Sequence, residues 1–304
     1  MKRKEYLLRS ILFVPTYKEK FIQKAIHTGA DALILDLEDS VPEVYKQKGR
    51  EIIKKYIDKG VFKNLQVFVR LNPIESKILL KDLKYVLHED IDGFMLTKIR
   101  TAEDMIYYDK LITQLEIDKN IEAGHFTFMP LIETTLAIMN AYHIASASDR
   151  TIALTFGGED FLNDLEGLHG NPPRCFDYPR AYIALAARAA GIKAIDTPYL
   201  AVNDTKGFIK EESVSFEMGF SGCLLLHPKQ IALANQCFVP SPEEVQKSRE
   251  IIKSIEEANK RGSGVAMLEN KMIGPPMKKR AEKVLRIIEL IEQKVKLEVM
   301  HEER

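Results

Sequence analysis

Six residues of this chain have the types and spacing to act on an oxyacid beside a divalent cation. Glu133 ends the apolar run FTFMPLIE and Asp160 ends TIALTFGGED. If the two runs are neighbouring strands, about 4.8 Å apart, carboxylates at the same height can share one cation. Magnesium suits such a pair, because it takes oxygen ligands, accepts one or two protein carboxylates and fills its shell with water and substrate. In the competing reading Glu133 caps the next helix and Asp160 is solvated; spacing alone leaves both open. Arg70 ends VFVR with a planar fork that can grip a carboxylate at two points. A salt bridge from Arg70 to Glu38 is compatible with that role. Asp36 and Glu38 share one parity of ALILDLED, while Leu35 and Leu37 take the other. Acids buried in a core are costly unless paired, hydrated or metal-linked. They can hold metal-bound waters, orient Arg70 and Lys98, or form a structural ion-pair layer.

Such residues act together only if a fold gathers them. The apolar runs begin at Ile11, Ala32, Val67, Gly93, Phe126, Thr151 and Gly222, with a weaker one at Ala194. Their ends carry Asp36, Glu38, Arg70, Lys98, Glu133, Asp160, Asp196 and His227. Parallel barrels place their chemistry at the carboxyl ends of their strands. Amphipathic patterns fill the gaps, among them Phe21, Ile22, Ala25 and Ile26, a near capping box at Thr101–Asp104, and the alanine-rich stretch 177–190. Alternating strands and helices predict an α/β TIM (β/α)8 barrel over residues 1–240. The runner-up is a doubly wound sheet, but no Gly-x-Gly-x-x-Gly loop follows the first run. Residues 241–304 read as a C-terminal helical extension, a lid or an oligomerisation arm. Its expected parts are a helix from Ser241 to about Arg261, a hinge at 262–264, a rigid turn at 274–276 and a helix over 277–297.

Lys and Arg total 44 against 44 Asp and Glu, so no net charge draws the chain to nucleic acid or an anionic membrane. No stretch approaches the roughly 20 apolar residues of a membrane span. Cys175, Cys223 and Cys237 have no metal-ligand spacing, and their odd number fits a reducing, cytoplasmic setting. His227 reads as a hydrogen-bonded structural residue and Cys223 as a small buried hydrophobe.

The stretches RSILFVP, GADALILDLEDSV, RLNP, GFMLTKIRTAED, PLIETTLAIMNA, FGGEDF, YPRAYIALAARAAGIKAIDTPY, GFSGCLLLHPKQI and NQCFVPSPEEV occur in this order. Together they resemble the citrate lyase beta subunit and the malyl-, citramalyl- and citryl-thioester lyases of the HpcH/HpaI aldolase/citrate lyase superfamily. The resemblance covers about residues 9–285 and implies a TIM barrel with Mg2+ held by Glu133 and Asp160. It implies substrate binding by Arg70 and an acidic segment, Asp36, Glu38 and Asp39, near the metal. It also implies a homotrimer or hexamer in which one subunit's C-terminal segment covers a neighbour's site. Four positions depart from the family pattern. Thr16 stands for a glycine, Thr97 for a proline and Cys223 for a lysine, and Gly274 replaces the lid aspartate that acts as acid/base in coenzyme A-using relatives.

The resulting expectation is a magnesium-dependent carbon–carbon lyase that splits a 3-hydroxy-acid thioester into an oxo-acid and an acetyl thioester. Arg70, Asp36 and Glu38 would serve catalysis, and Arg70 and Lys98 would bind substrate. The alternatives are an aldolase on a free oxo-acid without coenzyme A, and a non-catalytic or partner-dependent subunit.

Overall fold

The computed structural model describes residues 5–168, 170 and 174–302. Eight of the apolar runs form short strands buried on both faces, as parallel barrel strands must be. They are β1 (Ser10–Pro15), β2 (Ala32–Asp36), β3 (Val67–Arg70), β4 (Gly93–Leu96), β5 (Thr127–Ile132), β6 (Ala153–Phe156), β7 (Lys193–Asp196) and β8 (Gly222–Leu225). They pair in sequence order, all parallel, and β8 returns to β1, so the barrel closes as expected.

Alternation sorts the side chains into two layers. Ile11, Ile34, Phe68, Met95, Met129, Ile195 and Leu224 fill the barrel interior. Leu12, Leu35, Val69, Phe94, Ile132 and Phe156 belong to the larger cluster beneath the helices. Gly222 starts β8 where the chain presses on the strand beside it. A Cβ there would overlap the Leu8 carbonyl oxygen, so only glycine fits.

The surrounding helices are α1 (Glu19–Ala25), α2 (Lys46–Asp58), α3 (Leu79–Val86), α4 (Ala102–Asp118), α5 (Thr135–Met139), α6 (Ala141–Ser146), α7 (Gly158–Asp164), α8 (Asp177–Ala189), α9 (Thr205–Glu217) and α10 (Ile231–Cys237). The start of α4 follows the capping pattern read from sequence: Asp104 Oδ2 accepts from the Thr101 amide at 2.9 Å.

The chain divides into two compact units, Met1–Phe238 and Val239–Arg304. In the second, α11 (Pro242–Lys260) opens with a reciprocal cap between Ser241 and Glu244. A hairpin that the sequence reading lacked follows, β9 (Ala266–Leu268) against β10 (Lys271–Ile273). Its turn residues Glu269 and Asn270 have φ of 48° and 62°, the left-handed pair of a tight two-residue hairpin. The last helix, α12 (Pro275–Glu302), starts where a rigid turn was expected. Prolines are accepted in a first turn because those amides have no intrahelical partner. Ile251, Ile255, Ile273 and Ala281 form this unit's core.

Candidate active site

Strand parity decides which charged residues meet. Asp36 and Arg70 end β2 and β3 directly opposite one another, in phase with the interior residues Ile34 and Phe68. Arg70 donates from Nε to Asp36 Oδ1 at 2.7 Å and from Nη2 to Asp36 Oδ2 at 2.6 Å. Its Nη1 lies 3.1 Å from Glu38 Oε2 and 3.7 Å from Asp39 Oδ2. The guanidinium also covers the Phe13 ring, 4.7 Å from its centroid. The principal partner of Arg70 is thus Asp36, with Glu38 second.

Asp36 and Glu38 differ in electrostatics. Burial opposes ionisation of Asp36, but Arg70, Ser40 and the Glu38 amide outweigh it and hold the carboxyl below the usual aspartate range. Burial pushes Glu38 up to about 7; Arg70 pulls it down, and Asp39 and Asp36 push it further up. Asp36 is therefore a fixed anion, and Glu38 is poised to exchange a proton near neutrality.

Glu133 directly follows β5, on the interior parity of Met129 and Leu131, and is buried. Asp160 arrives by a different route from the one expected. β6 stops at Phe156, and Asp160 sits in the first turn of α7 rather than at a strand end. The two carboxyls still come within hydrogen-bonding reach. Burial and Asp160 push Glu133 up to about 8, against the pull of Lys98. Burial opposes the charge on Asp160, but Glu133 and Lys98 outweigh it and hold Asp160 below its usual range. At neutral pH the pair therefore carries one proton.

Lys98 answers the remaining charge. Its Nζ is 2.8 Å from Asp160 Oδ2 and 3.4 Å from Glu133 Oε1, and its amide donates to Glu133 Oε1 at 2.6 Å. Its backbone is left-handed, with φ of 57°, a conformation that a non-glycine residue holds only where its surroundings enforce it. A carboxyl pair that shares one proton and already takes an ammonium is a donor set suited to a cation. Among the described residues no group of three His, Cys, Asp or Glu side chains is arranged to hold a metal ion. Two carboxylates match what magnesium asks of protein, with water and substrate completing its shell.

Two strand-end residues take no part. Asp196 shares the parity of Ala194, so it faces the helix layer, where Arg180 Nε lies 3.0 Å from Oδ2. His227 Nδ1 accepts from the Lys229 amide at 3.1 Å and caps a short turn. Cys223 is buried in the same outer layer, beside Glu212. Phe13, Ser40 and Thr197 contribute to the site's framework without having been singled out from sequence. Phe13 was at least on the right parity; Ser40 and Thr197 carried no signal.

Residues 9–228 match the HpcH/HpaI aldolase/citrate lyase family. The chain is 34% identical to the citrate lyase subunit beta of Haemophilus influenzae over 279 residues, which is 92% of this chain and 96% of that one. It is 28% identical to the mitochondrial citramalyl-CoA lyase of Mus musculus, over 94% of this chain and 87% of that one. Its fold superposes with a TM-score of 0.70 on the CitE protein of Mycobacterium tuberculosis in complex with magnesium, acetoacetate and coenzyme A. That match has 26% identity and covers 91% and 97% of the two chains. With its closed eight-stranded barrel and a match across most of its length, the chain belongs to the HpcH/HpaI aldolase/citrate lyase family.

Proposed function

We infer that the protein is a magnesium-dependent carbon–carbon lyase that cleaves a 3-hydroxy-acid thioester of the citryl, malyl or citramalyl type. The observation that carries the reading is the meeting of Glu133 and Asp160 on Lys98, 3.4 and 2.8 Å from its Nζ, at the carboxyl end of the barrel. Its relatives support the reaction class, since they include lyases and a protein bound to magnesium and coenzyme A.

Glu133 and Asp160 would hold the magnesium ion. When bound, it supplies Lewis-acid polarisation of the substrate's carboxylate and carbinol oxygens. Arg70, fixed by Asp36 through Nε and Nη2, would meet negative charge as it develops with Nη1, which lies 3.1 Å from Glu38. Lys98 adds a second cation for the oxo-acid carboxylate. Glu38 takes the hydroxyl proton, and the bond from the carbinol carbon to the thioester's α-carbon breaks. A proton then returns to the α-carbon and gives the acetyl thioester.

This assignment of Glu38 predicts a pH profile. The rate should rise through about pH 7, where Glu38 ionises. Glu38→Gln should lower kcat by roughly 10²- to 10⁴-fold and remove that limb. A Gln variant that keeps the limb would move the proton-taking role elsewhere.

The reading also includes a homotrimer or hexamer. Leu136, Met139, Tyr142, Tyr178 and Leu185 are exposed on α5, α6 and α8, an apolar surface suited to burial against another subunit.

The deciding assay is oxo-acid release from citryl-, malyl- and citramalyl-coenzyme A with magnesium, repeated after chelation. Release from at least one, abolished by chelation, is the expected result. No release from any, by protein that still binds the metal, would sink the thioester reading. Gly274→Asp belongs in the same series. A Cβ at Gly274 would stand 3.6 Å from the Val265 Cγ1, an ordinary van der Waals contact.

A further inference from the structure

The start of α7 lacks its own cap. Its N-cap residue is Gly157, which has no side chain to accept from the first-turn amides. The acceptor comes instead from the residue after β7: the Gly158 amide donates to Thr197 Oγ1 at 2.9 Å. Thr197 is buried, so water does not compete for that bond.

The same two glycines are walled on both sides. A Cβ on Gly157 would stand 2.7 Å from Glu133 Cβ. A Cβ on Gly158 would stand 2.7 Å from Thr197 Oγ1 and 3.0 Å from the Phe176 ring. The thread that leads into Asp160 therefore runs in a slot between Glu133 and Thr197, and the slot's width sets the approach of the two carboxylates.

Thr197 is itself held in place. Its amide donates to Asp196 Oδ1 at 2.8 Å. Asp196 is fully buried and gripped by Arg180 of α8, whose Nη1 reaches Glu211 of α9 at 2.9 Å. The outward-facing acid of β7, idle at the mouth, thus anchors the residue that fixes α7.

We propose that Thr197, braced by Asp196 and Arg180, is a positioning residue that holds Asp160 at metal-binding distance from Glu133. This rests on Asp160 being a magnesium ligand and adds a residue that never touches the metal.

The test is Mn2+ binding to metal-free protein, followed by electron paramagnetic resonance well below each variant's unfolding temperature. Thr197→Val removes the acceptor at nearly constant shape. Thr197→Ala is measured beside it, because it removes the same acceptor without pressing a second methyl on Gly158. Both should bind Mn2+ at least tenfold more weakly, at the low end of the ~10- to 100-fold expected for an outer partner of a metal ligand, and Thr197→Ser should stay within about twofold. Asp160→Asn serves as the reference for loss of a ligand. If Asp160→Asn loses Mn2+ while the Val or Ala variant keeps wild-type affinity, this inference falls and the metal site stands. A Ser variant as weak as Val also overturns it. If Asp160→Asn binds Mn2+ normally, the metal site and the inference fall together.

Discussion

Glu133→Gln and Asp160→Asn are each expected to reduce divalent-ion binding by at least about 10²-fold and oxo-acid release to background, while the barrel stays folded. The described residues bring Glu133 and Asp160 together there, so replacing either one removes one of the two carboxylates that would hold the cation. Folding should survive, because both residues lie beyond the strand ends and neither belongs to the apolar clusters. Glu133→Gln should disturb folding least. Without metal, Glu133 is already protonated at neutral pH, and the amide copies its size and its lack of charge. Isothermal titration with Mg2+ and a far-ultraviolet melt on the same samples separate the two effects. Parent-like binding and turnover in either variant would remove the metal site from this pair.

How much of this site could be read from the residues alone depends on strand parity. Period-two alternation set Asp36 and Glu38 on one face of their run and Leu35 and Leu37 on the other, and the register then puts Arg70 opposite Asp36. Parity carried no such information for Asp160. Once β6 ends at Phe156, the direction of Asp160 depends on how α7 is seated, and that depends on Thr197, 37 residues away in sequence, through Gly158. Asp196 misled for the opposite reason. A charged residue closing an apolar run reads as a mouth residue, but its parity matches Ala194 and it turns to Arg180. The hairpin at 266–273 was missed because each strand is three residues long and its turn, Glu269-Asn270, lacks the glycine that marks most such turns.

Arg70→Met should destabilise the barrel by about 3–5 kcal/mol, the range found when one partner of a buried ion pair is removed. Asp36 is fully buried, and its two oxygens accept from Arg70 at 2.7 and 2.6 Å. Without the guanidinium only Ser40 and the Glu38 amide remain as partners for that charge. Arg70→Lys should recover little, since an ammonium cannot meet both oxygens in one plane. Replacing both partners, as in Arg70→Met with Asp36→Leu, should recover most of the loss, because a well-packed apolar pair leaves no charge unanswered. Acid sharpens the test. In the parent the Asp36 carboxyl is held below its unfolded value, so its contribution is present above the ordinary aspartate range and is lost as the pH falls through the folded value. In Arg70→Met burial is opposed only by the bonds from Ser40 and the Glu38 amide, and it should lift the carboxyl above its unfolded value. That variant is then most stable below the unfolded value and loses stability as the pH rises. The gap between parent and variant, measured as urea midpoints, should be widest at neutral pH and narrow below about pH 4. A gap that stays constant across that range would mean that Arg70 stabilises the mouth through packing on Phe13 and not through Asp36.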